Sequence, residues 1–470
     1  VNDDANLPPR LDRVSTGIPG LDAVTGGGFL RSGVYILQGA PGAGKTILAN
    51  QVVHRHAAAG GHVVYVTMLA ESHGRLLQHM EPFSFFDLAS LPDKVYYVSA
   101  FDALRTGGLK AVVELLRNEM RSREAGIVVL DGLVMAASAA ESEEELKLFV
   151  SDIQAHSTLT GSTTLLLTSE HADRPVSAEQ TMVDGILLLR ERAFGPRRER
   201  NIEVVKFRGS STLRGNHAFQ IGPDGITVYP RLETARREHA GDAVLPVGVS
   251  TGVAGLDAMF DIGGYGQGSI TAVTGPSGAG KTALALQFVS RATPEDKAVY
   301  FSFYESPPLL LRVMELLGVA APDPAAIDFR WQPFGETVLD RMASELLEAV
   351  QSSRASRVVI DGVGGFLAAP AYAERNGPFV AALANELRRL GATTIVTLEE
   401  SEATGTRIVD TPTLSALADT TLQLSVRTEG STRRFATIRK SRVSRCDLRV
   451  RELVLTPAGI EVRQEDPVAP

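Results

Sequence analysis

The 470-residue chain predicts an α/β fold in two tandem copies. Each copy is expected to be a mostly parallel, twisted sheet flanked by helices, with a C-terminal β-hairpin. Three observations carry this. One glycine-rich octet occurs twice, as Gly39-Ala40-Pro41-Gly42-Ala43-Gly44-Lys45-Thr46 and as Gly275-Pro276-Ser277-Gly278-Ala279-Gly280-Lys281-Thr282. Each octet stands between a β-branched run and a helical one, the setting of a strand–loop–helix unit. Further along, a run of four apolar residues in the first copy and three in the second ends in an aspartate, as buried parallel strands do.

In chain order, each copy opens on a shared heading. Thr16-Gly17-Ile18-Pro19-Gly20-Leu21-Asp22 returns 235 residues later as Thr251-Gly252-Val253-Ala254-Gly255-Leu256-Asp257. Glycine-rich stretches follow, then the strands Val34-Tyr35-Ile36-Leu37 and Ser269-Ile270-Thr271-Ala272-Val273 run into the octets. Residues 47–56 and 283–291 read as helices. The next strands, Val63-Val64-Tyr65-Val66-Thr67 and Ala298-Val299-Tyr300-Phe301-Ser302, lead to Glu71-Ser72 and Glu305-Ser306. Ile127-Val128-Val129-Leu130-Asp131 and Val358-Val359-Ile360-Asp361 deliver carboxylates to the C-terminal edge of a sheet. Thr163 to Thr168 and Thr393 to Thr397 supply a further inner strand. Charged residues and breakers mark the seam. The expected division is a first domain over 1–232, a linker over 233–246 and a second domain over 247–470.

The octets fit G-x-x-x-x-G-K-[ST], whose backbone N–H groups surround phosphate oxygens. The expected nucleotide contacts are Gly39, Gly42, Ala43, Gly44, Lys45 and Thr46, and Gly275, Gly278, Ala279, Gly280, Lys281 and Thr282. Lys45 and Lys281 would reach the β- and γ-phosphates. Thr46 and Thr282 place hydroxyls on Mg²⁺, and Asp131 and Asp361 act as the Walker B carboxylates that hold it. Two loops imply two ATP sites.

Composition narrows the setting. Hydrophobic content of 44% and charged content of 22% are those of an ordinary soluble globular chain. No run approaches a membrane span, and the first residues, with Asp3 and Asp4, do not read as a signal peptide. A single cysteine, Cys446, excludes an intrachain disulfide framework and fits a reducing cytoplasm. The net charge of −8 argues against a whole-surface nucleic-acid binder. His54 and His56 are too badly placed on one helix to share a metal. Ser142 and Glu145 read as a capping box. Trp331 and Phe83-Ser84-Phe85-Phe86 read as core or interface packing rather than ligand stacking.

Taken together, the heading, the loops, the Walker B strands and Val205-Lys206-Phe207-Arg208-Gly209-Ser210 resemble the KaiC branch of the RecA-like P-loop ATPases. The resemblance runs from about Val14 to about Val462. It implies hexameric rings with ATP between neighbouring subunits. It also implies that Lys206 and Arg208 reach in trans towards a neighbour's γ-phosphate, as an arginine finger does. Lys440-Ser441-Arg442 aligns with the same motif, with Val443 in place of glycine. Read from charge alone, these basic segments also suit a solvated hairpin or a nucleic-acid patch.

The chain departs from that family's pattern in two places. A strand-end Glu-Glu pair, whose first member polarises the attacking water or hydroxyl, is here Ala70-Glu71 and Tyr304-Glu305. Glu71 and Glu305 have either taken over as catalytic carboxylates, or the sites mainly bind nucleotide. The family's adjacent phosphoacceptors align with Ser415 and Ala416, which leaves single-site autophosphorylation at Ser415 open. The eight residues after Val462 are shorter than the family's activator-binding tail, so a circadian role does not follow. The expected function is an ATPase ring, with or without serine/threonine autokinase activity, that signals through protein partners. A nucleotide-gated scaffold and a DNA-handling motor are the alternatives.

Overall fold

The computed structural model describes residues 12–68, 73–169, 181–194, 197–234, 245–333, 335, 338–368, 373–400, 417–429 and 431–464. Ala70, Glu71 and Ser415, and most of the expected linker, lie outside the described residues. The chain divides into two compact units, Val1–Ala235 and Arg236–Pro470.

The first unit contains β1 (Val34–Gly39), β2 (Val63–Thr67), β3 (Val95–Ser99), β4 (Ile127–Asp131) and β5 (Thr163–Thr168). After these come β6 (Gly185–Phe194), β7 (Arg197–Phe207), β8 (His217–Gly222) and β9 (Gly225–Tyr229). Among the described residues they form one nine-stranded sheet in the order β3-β2-β4-β5-β1-β6-β7-β8-β9. Pairing is parallel from β3 to β6 and antiparallel from β6 to β9.

Strand alternation places successive side chains on opposite faces. Tyr35, Leu37, Tyr65, Val129 and Leu165 pack against α1 (Lys45–Ala58) on one face. Val34, Ile36, Val64, Val128 and Leu166 pack on the other against α2 (Phe101–Ser122) and α3 (Glu143–Thr160). Two buried faces explain why these strands read as unbroken apolar runs. Each buried aliphatic side chain contributes about 1.5–3 kcal/mol.

The second unit repeats the plan. Its strands are β10 (Ile270–Gly275), β11 (Ala298–Ser302), β12 (Ile327–Trp331), β13 (Arg357–Asp361), β14 (Thr393–Glu399), β15 (Thr420–Glu429), β16 (Ser431–Ser441), β17 (Arg451–Thr456) and β18 (Gly459–Gln464). Their order, β12-β11-β13-β14-β10-β15-β16-β17-β18, is that of the first sheet. Val273, Tyr300, Val359 and Ile395 face α4 (Lys281–Val289).

Local details refine the expectations. The antiparallel part of each sheet holds a second hairpin, β8–β9 or β17–β18, beyond the expected one. Ser142 caps α3 by accepting from Glu145 N at 3.1 Å, but the Glu145 carboxylate accepts from Glu141 N rather than Ser142 N. Phe85 is buried as expected, whereas Trp331 lies on the edge strand β12 and is 46% exposed. The repeated heading is a structural clasp. Asp22 Oδ1 accepts from Thr16 N at 2.9 Å, and Asp257 Oδ1 accepts from Thr251 N at 2.7 Å.

Candidate active site

β1 and β10 carry the chain to the C-terminal edge of each sheet, where the octets begin. The first glycine of each octet passes close to a neighbouring strand. A Cβ on Gly39 would lie 2.4 Å from the Leu189 carbonyl oxygen, and one on Gly275 would lie 2.5 Å from that of Leu424. Gly44 and Gly280 take left-handed φ of 103° and 100° as N-caps of α1 and α4. The free N–H groups of those helix starts form an anion-binding end. Lys45 Nζ donates to the carbonyls of Gly39 (2.6 Å) and Ala40 (3.0 Å). Lys281 Nζ donates to those of Gly275 and Pro276, both at 2.8 Å. Burial pushes both ammonium groups below the usual lysine value. Asp131 opposes this in the first copy, and Glu399, Asp361 and Glu400 oppose it in the second.

The strand-end carboxylates expected to act as Walker B residues, Asp131 and Asp361, are held by tyrosines that sequence reasoning did not select. Tyr65 Oη donates to Asp131 Oδ2 at 2.9 Å, and Tyr300 Oη donates to Asp361 Oδ2 at 2.6 Å. Burial, and then the aspartate's charge, raise both phenols well above their ordinary value, so they stay protonated donors. The signal was present: one tyrosine at the third position of matching five-residue strands.

The copies differ around this pair. Thr46 Oγ1 donates to Asp131 Oδ2 at 3.3 Å. In the second copy Thr397 Oγ1 donates to Asp361 Oδ1 at 2.6 Å, and Gly362 N donates to Thr397 Oγ1 at 2.7 Å. Asp361 is only 4% exposed. A hydroxyl and a carboxylate at a phosphate loop are the hard oxygen donors that suit Mg²⁺.

In the second copy a cavity of about 440 Å³ opens over the loop, lined by Lys281, Thr282, Tyr304, Glu305, Asp361 and Glu399 among others. Ser302 Oγ shapes the strand end, accepting from Glu305 N at 3.2 Å and donating to Glu305 O at 2.8 Å. Burial first, then the charge of Asp361, push the Glu305 carboxyl above its usual range. Its Oε2 is buried with no hydrogen-bond partner among the described residues. Tyr304 is 54% exposed, and a Cβ on Gly362 would lie 2.2 Å from its ring. Arg434 Nε, from β16, donates to the Gly278 carbonyl at 2.8 Å and ties the hairpin to the loop. Sequence reasoning missed this contact.

The four motif cations stand elsewhere. Lys206 Nζ and Arg208 Nη2 donate to the Thr181 carbonyl at 2.9 and 3.3 Å. Lys440 Nζ donates to the Ala418 carbonyl at 2.7 Å. Arg208 N donates to Asp184 O, and Asp184 N donates to Val34 O, the start of β1. Arg442 N, Asp419 and Ile270 repeat this chain at the start of β10. The cations therefore stand towards the N-terminal edge of each sheet and two strands to the side, the lysines about 10 Å and the arginines about 17 Å short of their own copy's loop along the strand direction. Register shifts at Val205 and Arg439 form a bulge just before each lysine, and bulges re-aim side chains. Gly209 takes a left-handed φ of 69° and Val443 does not, yet the backbone bond before them is shared: Arg442 N donates to Asp419 O at 2.8 Å as Arg208 N donates to Asp184 O.

Among the described residues no helix is long and apolar enough to cross a membrane, and no group of His, Cys, Asp and Glu is set up to hold a metal on its own.

Comparison with known proteins agrees with this geometry. The chain is 26% identical over 494 residues to a "Circadian clock oscillator protein KaiC" of Prochlorococcus marinus, covering 97% of this chain and 93% of that one. It is 25% identical over 491 residues to the protein of the same name from Thermostichus vulcanus, covering 97% and 89%. Against "Circadian clock oscillator protein KaiC 1" of Synechocystis sp. (strain ATCC 27184 / PCC 6803 / Kazusa) it is 24% identical over 483 residues, covering 96% and 89%. The family described as "ATPase: KaiC" matches twice, over residues 14–233 and 249–467. With two phosphate loops, two Walker B strands and two matching sheets, the chain belongs to the KaiC family of ATPases.

Proposed function

We propose that both copies bind ATP with Mg²⁺ and that hydrolysis takes place between neighbouring subunits of a ring. The observation that carries this reading is the distance between each copy's cations and its own loop. Lys206, Arg208, Lys440 and Arg442 stand away from the loop of their own copy, which supports a role for them at the loop of a neighbouring subunit. The exposed Val205, beside Lys206 and 56% accessible, suits such a boundary. Phosphoryl transfer spreads negative charge over equatorial oxygens, and a desolvated cation stabilises that charge.

Within each copy, the loop N–H groups and Lys45 or Lys281 bind the phosphates. Thr46 with Asp131, and Thr282 with Asp361, would hold Mg²⁺, which neutralises charge on the β- and γ-phosphates when bound. Glu305 takes the proton from the attacking water in the second copy, and Glu71 is its counterpart in the first. The domains run over 1–232 and 247–470 with a linker over 233–246, a division that the two family matches, 14–233 and 249–467, support. Cytoplasmic signalling through protein partners, with Ser415 as an acceptor when a serine hydroxyl replaces water, completes the reading. Tyr304 favours one rival. Its phenol is raised by burial and by Glu399, Asp361 and Glu305, so it cannot act as a base at neutral pH. A site that binds ATP and turns over little is the second reading.

Incubation with Mg-ATP labelled at the γ-phosphate, following free phosphate and protein label separately, decides between them. The ATPase reading expects phosphate release that falls to one copy's share in Lys45→Ala and in Lys281→Ala. Tight ATP binding with negligible release selects the scaffold. A chain that stays monomeric at micromolar concentration in Mg-ATP refutes the ring.

A further inference from the structure

We infer that Glu399 completes the carboxylate pair of the second site, orienting the attacking water whose proton passes to Glu305. This rests on the ATPase reading above.

Strand order places the residue. β14 lies between the loop-bearing β10 and the Walker B strand β13. Gly275, first glycine of the loop, pairs in register with Glu399, and Glu400 N donates to Gly275 O at 3.1 Å. Glu399 is thus one strand spacing from β10, about 5 Å, whereas Glu305 follows a strand three spacings away.

Alternation along β14 fixes which face it takes. Ile395 packs in the core beneath α4, and Thr397, two residues on, reaches Asp361. Glu399, two further on, continues that row into the cavity that also holds Lys281, Glu305 and Asp361. The side chain is solvent-exposed at the rim and free of a packing role. The two carboxylates therefore flank Asp361 from β11 and β14, in place of the adjacent pair that Tyr304 interrupts.

The described part of the first copy differs at this position. Leu167 pairs with Leu37 as Thr397 pairs with Val273, and Ser169 stands two residues on, where the second copy has Glu399. Among the described residues, the carboxylate at this strand end is therefore seen in the second copy.

The step balances. A water O–H donates to Glu399 while the water oxygen bonds to the γ-phosphorus. The bridging P–O bond breaks, its electron pair stays on the β-phosphate of ADP, and the other water proton moves to Glu305. Orientation needs a hydrogen-bond acceptor and not a charge, so an amide oxygen can substitute.

The test uses full-length chains carrying Lys45→Ala, which silences the first site. Phosphate release and the affinity of a fluorescent ATP analogue are read together. Glu399→Ala is expected to lower kcat about 100-fold with KM and analogue affinity within about 3-fold, and Glu399→Gln to restore kcat to within about 5-fold of the parent. Glu305→Gln is expected to lose about 100-fold with no such rescue. Turnover that survives in Glu399→Ala, or a Gln variant as slow as Ala, overturns the role of Glu399 and leaves the ATPase reading standing. A Lys45→Ala parent that binds the analogue without releasing phosphate overturns both.

Discussion

Tyr300 donates its hydroxyl to Asp361 at 2.6 Å from the third position of the neighbouring strand, and Tyr65 does the same for Asp131 at 2.9 Å. Each pair spans two adjacent parallel strands, so the carboxylate's orientation is set by the sheet rather than by a loop. Groups that orient a metal-binding carboxylate typically account for 10–100-fold in metal affinity. Tyr300→Phe is expected to raise the Mg²⁺ concentration for half-maximal turnover at the second site about 10-fold, read by Mg²⁺ titration in a Lys45→Ala chain. Thr397 still holds Asp361 Oδ1, so ATP binding without metal is expected to stay within about 2-fold. An unchanged Mg²⁺ requirement would sink the assignment.

Asp419 is a second buried anchor. Its Oδ2 accepts from Ile270 N at 2.9 Å and pairs with Arg388 at 3.0 Å, with both side chains at most 15% exposed. Removing one partner of a buried pair leaves the other charge uncompensated. Asp419→Ala is expected to cost about 3 kcal/mol in the second unit's unfolding transition. Asp184, its counterpart, also accepts from a strand-start N–H, but its cation Arg208 stands 4.0 Å away and both are more exposed. Asp184→Ala is expected to cost about 1–2 kcal/mol. Denaturant titrations of the two variants check the difference. Equal losses would mean the Arg388 contact adds nothing.

Much of this was legible in the residues because the chain states it twice. Strands buried on both faces read as apolar runs, and a glycine that must pass a neighbouring carbonyl cannot be replaced, so the octets stand out. Tyr65 and Tyr300 were passed over because an aromatic inside an apolar strand looks like packing; only the register with the Walker B strand reveals the acceptor. Glu399 was invisible for a topological reason. Its nearness to the loop depends on β14 lying beside β10, which brings it level with Gly275, a residue remote along the chain. The distance of Lys206 and Lys440 from their own loops likewise follows from the antiparallel return of β7 and β16.

His54 makes the first unit sensitive to acid. Burial lowers its pKa from 6.5 to about 4, partly offset by Asp87, and its Nδ1 accepts from Asp87 N at 3.3 Å. The unfolded chain takes up the proton near 6.5 and the folded one only near 4. The contribution is therefore complete above pH 6.5 and lost as pH falls through that window. At 1.36 kcal/mol per unit the loss is about 3 kcal/mol. His56 is lowered by burial in the same direction and adds to the slope. His54→Phe, packing against Phe86, is expected to flatten most of the decline in melting temperature between pH 7 and 4.5. A decline as steep as the parent's would remove His54 as the cause.

The proposed trans action of Arg208 can be read from mixed rings. Both partners carry Lys281→Ala, so only first-copy sites report. One also carries Lys45→Ala and keeps its cation; the other carries Arg208→Ala and keeps its loop. Each alone is expected to be nearly inactive, since losing an arginine finger costs about 10³ or more in rate. When equal amounts are mixed before Mg-ATP is added, random head-to-tail assembly joins an intact loop to an intact neighbouring Arg208 at about one site in four. Phosphate release is then expected to recover to about a quarter of the Lys281→Ala parent. A cation serving its own loop cannot be complemented, because every subunit in the mixture lacks one half of its own site. In that case the mixture stays as inactive as its components, and the position of Arg208 at the far edge of the sheet would need a purely structural explanation through Thr181 and Asp184.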